Sequence, residues 1–220
     1  IGIAHGLLIN IGSITSSSLS CILKAGKCAN LRGIPVLLDP VGIGASKFRQ
    51  EAIQQIFGEV KVAIIKGNLS EMRHLSGNSS GVSRGVDANP EDAIASNEMA
   101  AFAKNLSQKL KATVVITGKT DFISDGARCA AIFNGNDNMS SITGTGCQLG
   151  GLMTTSLAAI PDKPYEVAIS STGAFGIAGE IGWSRMQVGD GNATYRNRII
   201  DAISHINADT LKTFIKLQEF

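Results

Sequence analysis

No block of basic residues is present in this sequence of 220 residues. Its Lys and Arg residues are spread along the chain, and the formal net charge is only +2. A protein that binds the phosphates of nucleic acid usually concentrates positive charge on one surface. The charge pattern therefore predicts no nucleic-acid partner.

Long apolar runs are also missing. A helix that spans a membrane needs about 18 or more uninterrupted apolar residues. The longest candidate, residues 150–160, is shorter and contains Thr154, Thr155 and Ser156, so no membrane partner is expected. The hydrophobic share of 44% nevertheless predicts a globular protein with a core. The length predicts one domain over residues 1–220, and because the chain begins at Ile1 just before an apolar run, we expect a preceding segment.

The four cysteines form neither a disulfide framework nor a metal-binding motif. Cys21 and Cys28 lie seven residues apart on one predicted helix, which is too far for a bridge. Cys129 falls in a predicted strand and Cys147 in a glycine-rich turn, and the three histidines are isolated. Reduced cysteines and the lack of a signal peptide predict a cytoplasmic location.

Short apolar runs alternate with segments of helical pattern. The predicted strands are residues 7–9, 36–38, 62–65 and 113–116, and the predicted helices are residues 16–31, 49–57, 70–75 and 97–110. Continuous apolar strands are typical of a parallel sheet that helices cover on both faces, which gives a doubly wound α/β layer. Residues 122–124 and 129–133 flank Asp125-Gly126, which predicts an antiparallel hairpin at one edge of the sheet. A polar stretch at 77–90 separates two of the helices, and helices are predicted over 147–159, 165–186 and from 196 onward.

Polar or glycine-rich turns follow four of the predicted strands. In an open parallel sheet, ligands bind beyond the carboxyl ends of the strands. Any one such turn is equally well explained as a strand end. Four turns at one edge favour a crevice for a polar ligand. The turns are Asn10-Ile11-Gly12, Asp39-Pro40-Val41-Gly42, Lys66-Gly67-Asn68 and Thr117-Gly118.

The turn Thr143-Gly144-Thr145-Gly146-Cys147 directly precedes a predicted helix. Two glycines leave backbone N–H groups open, and a helix N-terminus carries partial positive charge, so the turn predicts an anion site for ATP phosphates at Thr143, Gly144 and Gly146. The turn is not a Walker A loop, because no Gly-Lys-Ser/Thr follows, and it lacks the third glycine of a dinucleotide fingerprint. An ordinary helix start is the alternative.

Four side chains near these turns are candidates for chemistry. A helix N-terminus favours the thiolate of Cys147, whose alternative is a small packed residue. Asp39 and Glu71 are carboxylates suited to Mg²⁺, which keeps several waters and takes one or two protein carboxylates. Glu71 lies three residues after Asn68 and is equally compatible with a capping box. Lys66 has the reach to contact a phosphate, or is a solvated lysine at a strand end.

Together these segments, with Ile116-Thr117-Gly118-Lys119, resemble the hydroxyethylthiazole kinase family over essentially the whole chain. The cysteine of the last motif distinguishes this family from most ribokinase-like relatives, which carry Asp there. The resemblance implies a ribokinase-like three-layer αβα sandwich, with a mostly parallel central sheet and an antiparallel hairpin at one edge. It also implies that ATP and Mg²⁺ are used to phosphorylate 4-methyl-5-(2-hydroxyethyl)thiazole in thiamine biosynthesis or salvage. A homotrimer with active sites between subunits is implied as well.

The resemblance assigns roles residue by residue. Cys147 matches the catalytic position. Lys66 and Thr117 match residues that contact ATP, and Asp39 and Glu71 match the carboxylates near the metal. Gly144 matches an acceptor contact, and Asn10 and Gly12 belong to a matching segment that we assign to the acceptor. A segment before Ile1 would supply the rest of the thiazole pocket.

Three other functions remain open at this point. A ribokinase-like kinase for a hydroxymethylpyrimidine or a sugar is disfavoured by Cys147. A cysteine hydrolase would need the pattern Gly-x-Cys-x-Gly, but Thr145 and Leu149 occupy the glycine positions. A binding module without catalysis is the third alternative.

Overall fold

The computed structural model describes residues 1–77 and 91–220. Residues 78–90, which hold nearly all of the predicted polar stretch, lie outside this description. Within the described part the chain forms seven strands and eight α-helices. The strands are β1 (Leu7–Asn10), β2 (Val36–Asp39), β3 (Ile64–Asn68), β4 (Thr113–Thr117), β5 (Asp121–Ser124), β6 (Cys129–Ile132) and β7 (Leu217–Glu219). The helices are α1 (Ser16–Leu31), α2 (Lys47–Glu59), α3 (Leu69–Ser76), α4 (Glu91–Leu110), α5 (Thr145–Ala159), α6 (Pro164–Ser184), α7 (Asn192–His205) and α8 (Ala208–Phe214).

All seven strands lie in one sheet, in the order of the chain. Strands β1 to β4 are parallel, and β4 to β7 pair antiparallel. The predicted parallel sheet and the hairpin of β5 and β6 are confirmed. Strand β7 adds one further strand beside β6, so the prediction of helix for everything after residue 196 was wrong. Its three residues are exposed and carry no apolar alternation, and the pairing with β6 joins distant parts of the chain.

The two faces of the sheet pack against different helices. Leu38 and Ile65 point into a core formed with α1, α2, α3 and α4. Their neighbours Leu37 and Ile64 point into a second core formed with α5, α6 and α7. Successive strand residues face opposite sides of a sheet, so a run of apolar residues is needed to fill both cores. The result is the three-layer sandwich expected from the sequence.

Two boundaries differ from the prediction in a way that matters for the site. Strand β3 was predicted over 62–65, but it runs from Ile64 to Asn68, because its register with β4 continues to the pair Asn68 and Thr117. Lys66 therefore lies inside a strand and is buried, not solvated at a strand end. Helix α5 was predicted from residue 147, but it begins at Thr145. Gly144 precedes it with φ +94°, a conformation that favours glycine.

None of the helices in the described residues combines the length and apolar character that a membrane crossing requires.

Candidate active site

The carboxyl ends of the parallel strands meet the N-terminus of α5. Strand β1 ends at Asn10, β2 ends at Asp39, and Lys66 lies in β3. The side-chain amide of Asn10 donates to Asp39 Oδ2 over 3.2 Å and to Cys147 Sγ over 3.4 Å. These contacts join three segments that are distant in the sequence, as the common sheet edge predicted.

Lys66 and Asp39 form a buried ion pair. Nζ of Lys66 lies 3.1 Å from Oδ2 of Asp39, and their side chains are only 4% and 2% exposed. Burial raises the pKa of Asp39, while the charge and hydrogen bond of Lys66 act in the opposite direction and the charge of Glu71 adds to the increase. Removing one residue of such a pair leaves the other as a buried charge without a partner.

This ion pair lies against the first turns of α5. A methyl group on Gly146 would lie 3.3 Å from Nζ of Lys66, and one on Gly150 would lie 3.8 Å from Oδ2 of Asp39. Gly146 was predicted as a phosphate contact because of its backbone. In the structure its missing side chain also lets the lysine ammonium approach the start of the helix.

The N-terminus of α5 has the properties of an anion site. No side chain caps it at Gly144. The first N–H groups of a helix have no intrahelical partner, and the helix dipole places partial positive charge there. Thr143 and Gly144 are exposed at this turn, and Lys66 adds a full positive charge behind Gly146. The N-terminus of α5 and the ammonium of Lys66 therefore both contribute positive potential at this turn.

Glu71 lies in the first turn of α3 and forms a capping box with Asn68. Its Oε2 accepts from the backbone N–H of Asn68 over 2.8 Å, and Asn68 Oδ1 accepts from the backbone N–H of Glu71 over 2.9 Å. Its Oε1 accepts from the N–H of Gly42 over 2.9 Å, which holds the turn after β2. The capping interpretation is confirmed. Both carboxylate oxygens thus have protein partners already.

The two predicted metal ligands form a sparse acidic pair. Asp39 contacts Asn10 and Lys66 through Oδ2, whereas both oxygens of Glu71 accept backbone N–H groups. In residues 1–77 and 91–220 there is no group of three or more His, Cys, Asp or Glu residues that could hold a metal ion by themselves. A sparse acidic pair of this kind fits Mg²⁺ that is held largely through water and phosphate.

Thr117 lies at the end of β4, beside Asn68 of β3. The turn after it is tied back by Asp121, whose Oδ1 accepts from the N–H of Gly118 over 2.9 Å. Burial raises the pKa of Asp121 to about 7, against the opposing effects of the Gly118 N–H and the charge of Lys66. The sequence pointed to Thr117 but not to Asp121, because nothing in the local pattern indicates that this side chain is partly buried.

Arg49 was also missed by sequence reasoning. From α2 it donates to the carbonyl oxygen of Val41 over 2.6 Å and to that of Gly12 over 2.7 Å. It therefore clamps together the turns that follow β1 and β2. The sequence carries no signal for this role, since the clamp depends on how α2 packs beside two separate strands.

The model of the Hydroxyethylthiazole kinase family matches residues 1–209. A curated hydroxyethylthiazole kinase of Clostridium acetobutylicum is 39% identical over 99% of this chain and 81% of its own length. The corresponding kinase of Clostridium beijerinckii is 39% identical over 99% of this chain and 78% of its own length.

Solved structures agree with these relatives. The structure of a hydroxyethylthiazole kinase protein from Pyrococcus horikoshii superposes with a TM-score of 0.85 at 29% identity, and covers all of this chain and 78% of that one. A pyridoxal kinase from Staphylococcus aureus gives a TM-score of 0.61 at 22% identity, over 97% of this chain and 73% of that one. The similarity to the pyridoxal kinase concerns the fold alone, which is ribokinase-like.

Proposed function

The chain belongs to the hydroxyethylthiazole kinase family, and from that premise we propose that the start of α5 and the carboxyl ends of β1 to β4 carry out its phosphoryl transfer. Its activity is thiazole kinase activity in thiamine metabolism, with an alcohol as phosphoryl acceptor. A kinase of this family uses ATP as its co-substrate. The proposal concerns which residues perform each part of this reaction.

The observation that carries the proposal is the uncapped N-terminus of α5 with a buried lysine behind it. Phosphoryl transfer depends mainly on positioning and on stabilisation of negative charge. The backbone N–H groups at Thr143, Gly144 and Gly146 bind the ATP phosphates, and Lys66 supplies the full charge. Thr117, farther along the same edge, contacts ATP from the side of β4.

Asp39 and Glu71 would hold Mg²⁺ in this proposal. Mg²⁺ bound to ATP would neutralise phosphate charge during transfer. Asp39, whose contacts with Asn10 and Lys66 run through Oδ2, would bind the ion through Oδ1. Glu71 would act through water, because its own oxygens already accept two backbone N–H groups. Glu71 accepts from the N–H of Gly42 in the turn that follows Asp39, and this proximity supports their joint action on one cation.

Cys147 acts on the acceptor alcohol. Its sulfur is exposed beside the phosphate turn, where it can accept a hydrogen bond from the acceptor hydroxyl. It orients the acceptor hydroxyl and accepts its proton late, as the oxygen–phosphorus bond to the acceptor forms and the bond between the γ-phosphorus and ADP breaks. General-base help of this kind is typically worth about 10² to 10⁴-fold. Gly144, Asn10 and Gly12 line the acceptor side of the turn.

We also infer a homotrimer with active sites between subunits, and a cytoplasmic location. Support for the trimer is the family resemblance, and support for the location is the set of free cysteines. Sedimentation equilibrium of the purified protein tests the trimer.

One assay tests the function. ADP formation is measured with ATP and Mg²⁺, with and without each of several alcohols: the thiazole alcohol, a hydroxymethylpyrimidine and a sugar. The proposal expects ADP in stoichiometric amounts with the phosphorylated thiazole alcohol. ADP formed at the same rate with no acceptor, or with the pyrimidine or sugar alone, would contradict it, and so would binding without turnover.

A further inference from the structure

Asn10 joins two functional side chains through one amide group. Its Nδ2 donates to Asp39 Oδ2 over 3.2 Å and to Cys147 Sγ over 3.4 Å. A primary amide has two N–H donors, so both are used by these contacts. The side chain is therefore a physical link between the buried ion pair and the exposed sulfur.

The orientation of this amide follows from its surroundings. Oδ1 of Asn10 accepts from the backbone N–H of Gly12 over 2.8 Å. The opposite orientation would place a carbonyl oxygen against the Asp39 carboxylate and a donor against the Gly12 N–H, which is unfavourable at both ends. Nδ2 must therefore face Asp39 and Cys147.

We propose that Asn10 is a positioning residue that acts through Cys147: its amide holds Sγ as a hydrogen-bond acceptor beside the phosphate turn. This inference rests on the proposed catalytic role of Cys147. A donor to sulfur fixes the side chain in one place and supports the negative charge of a thiolate. With both N–H groups in use, Asn10 has only an oxygen lone pair left for a substrate, so its main effect reaches the acceptor by way of the sulfur.

A rival explanation is that Asn10 acts through Asp39, the other acceptor of its amide. A double-mutant cycle separates the two, since residues that act as a unit are strongly non-additive. We expect Asn10→Ala to lower kcat about tenfold, as for a lost hydrogen bond to a charged group, with KM for ATP within about twofold of wild type. Asn10→Asp keeps an acceptor for Gly12 and removes the donor, and it should lose at least as much.

The decisive experiment introduces Asn10→Ala into the Cys147→Ala variant and measures the single-turnover rate of both proteins. The inference expects a further loss of less than about twofold there. The same tenfold loss in both backgrounds would overturn it and assign Asn10 to Asp39. Near-normal turnover of Cys147→Ala alone would contradict the catalytic role itself, a result distinct from failure of the cycle.

A second measurement does not depend on activity. Cys21, Cys28 and Cys147 are all exposed, so alkylation of each by iodoacetamide can be followed in one sample by peptide mass spectrometry. Alkylation proceeds through the thiolate. Asn10→Ala should slow alkylation of Cys147 about tenfold relative to the other two cysteines.

Arg49→Ala is the matched control. It loosens the same turn, because Arg49 donates to the Gly12 carbonyl oxygen, but it leaves the contact between Asn10 and Cys147 in place. The Cys147 rate in this variant should stay within about twofold of wild type, as for a residue outside the contact. An unchanged Cys147 rate in Asn10→Ala, or an equal change in Arg49→Ala, would overturn the inference.

Discussion

Nζ of Lys66 lies 3.1 Å from Oδ2 of Asp39, and both side chains are buried where β2 and β3 approach the start of α5. Within the pair, the ammonium of Lys66 lies behind Gly146 and is shielded from water. Electrostatic groups that are already oriented need no reorganisation during phosphoryl transfer. The ion pair is therefore a structural element, and in our proposal it also supports the phosphate site.

Removing Lys66 should damage stability as well as catalysis. Lys66→Ala leaves Asp39 buried and unpaired, which should lower the free energy of unfolding by about 3 to 5 kcal/mol. It should also raise KM for ATP or lower kcat, whereas Lys66→Arg keeps the charge and should lose less of both. Urea denaturation and steady-state kinetics measure the two effects.

Lys27→Ala is the control for the loss of a lysine ion pair. Lys27 pairs with Glu59 at the surface, with both side chains substantially exposed. Its loss should cost less than about 1 kcal/mol. A Lys66→Ala variant that is as stable as Lys27→Ala would contradict the buried-pair account.

Glu71 should prove to have two separable roles. Glu71→Gln disturbs the capping box and removes a charge near Asp39, so we expect a lower melting temperature and a higher Mg²⁺ concentration for half-maximal activity. Asn68→Ala removes the cap from its other side, at a cost of about 1 kcal/mol, and leaves the Glu71 carboxylate in place. Its Mg²⁺ dependence should match wild type. An identical Mg²⁺ dependence in both variants would mean that Glu71 is a cap and nothing more.

Asp121 should make stability depend on pH. Its pKa is about 7 in the folded protein, above the ordinary value of 3.8. Between these pH values the carboxyl of Asp121 is protonated in the folded chain and ionised in the unfolded chain. The contribution of Asp121 to stability is therefore fully present below pH 3.8 and is lost as the pH rises through about 7.

Asp121→Asn removes this titration and keeps an acceptor for the Gly118 N–H. The variant should therefore lose less stability than wild type between about pH 4.5 and pH 7.5 in urea denaturation. Asp39, whose pKa is also raised, is present in both proteins. It therefore contributes the same pH dependence to both stability curves. Parallel stability curves for the two proteins would refute the role given to Asp121.

Two glycines of α5 should respond differently to alanine. A methyl group on Gly146 would lie 3.3 Å from Nζ of Lys66, so the ammonium must move by a few tenths of an ångström. We expect KM for ATP to rise roughly threefold to tenfold in Gly146→Ala. At Gly151 a methyl group meets nothing within 4 Å, and alanine there should stabilise the helix by about 0.5 to 1 kcal/mol with unchanged kinetics. Equal kinetics for both variants would argue against crowding of Lys66.

Much of the fold could be predicted because apolar runs and turns are local signals. The runs that became β1, β2 and β4 were found within one or two residues, and α1 was found over its full length. Strand β3 was misplaced because a lysine at position 66 suggests the end of a strand. Lys66 is buried only because it pairs with Asp39, which belongs to another strand. Strand β7 was missed because only its pairing with β6 defines it.

The candidate site was predicted as a set of residues but not as a network. Asn10, Asp39, Lys66 and Cys147 do come together at one sheet edge. The hydrogen bonds between them, and the clamp of Arg49 on two turns, depend on distances that no local pattern contains.

The central claim is that Cys147 acts on the acceptor hydroxyl at the phosphate turn. The most direct test is the turnover of the thiazole alcohol by Cys147→Ala and Cys147→Asp, together with an independent ATP affinity for each variant. We expect Cys147→Ala to lose about 10² to 10⁴-fold in kcat with near-normal ATP affinity, since general-base help is worth about that much. Cys147→Asp should retain or improve turnover, because a carboxylate is the better proton acceptor at neutral pH. Near-normal turnover of Cys147→Ala would contradict the account and leave Cys147 as a packed residue at the start of α5.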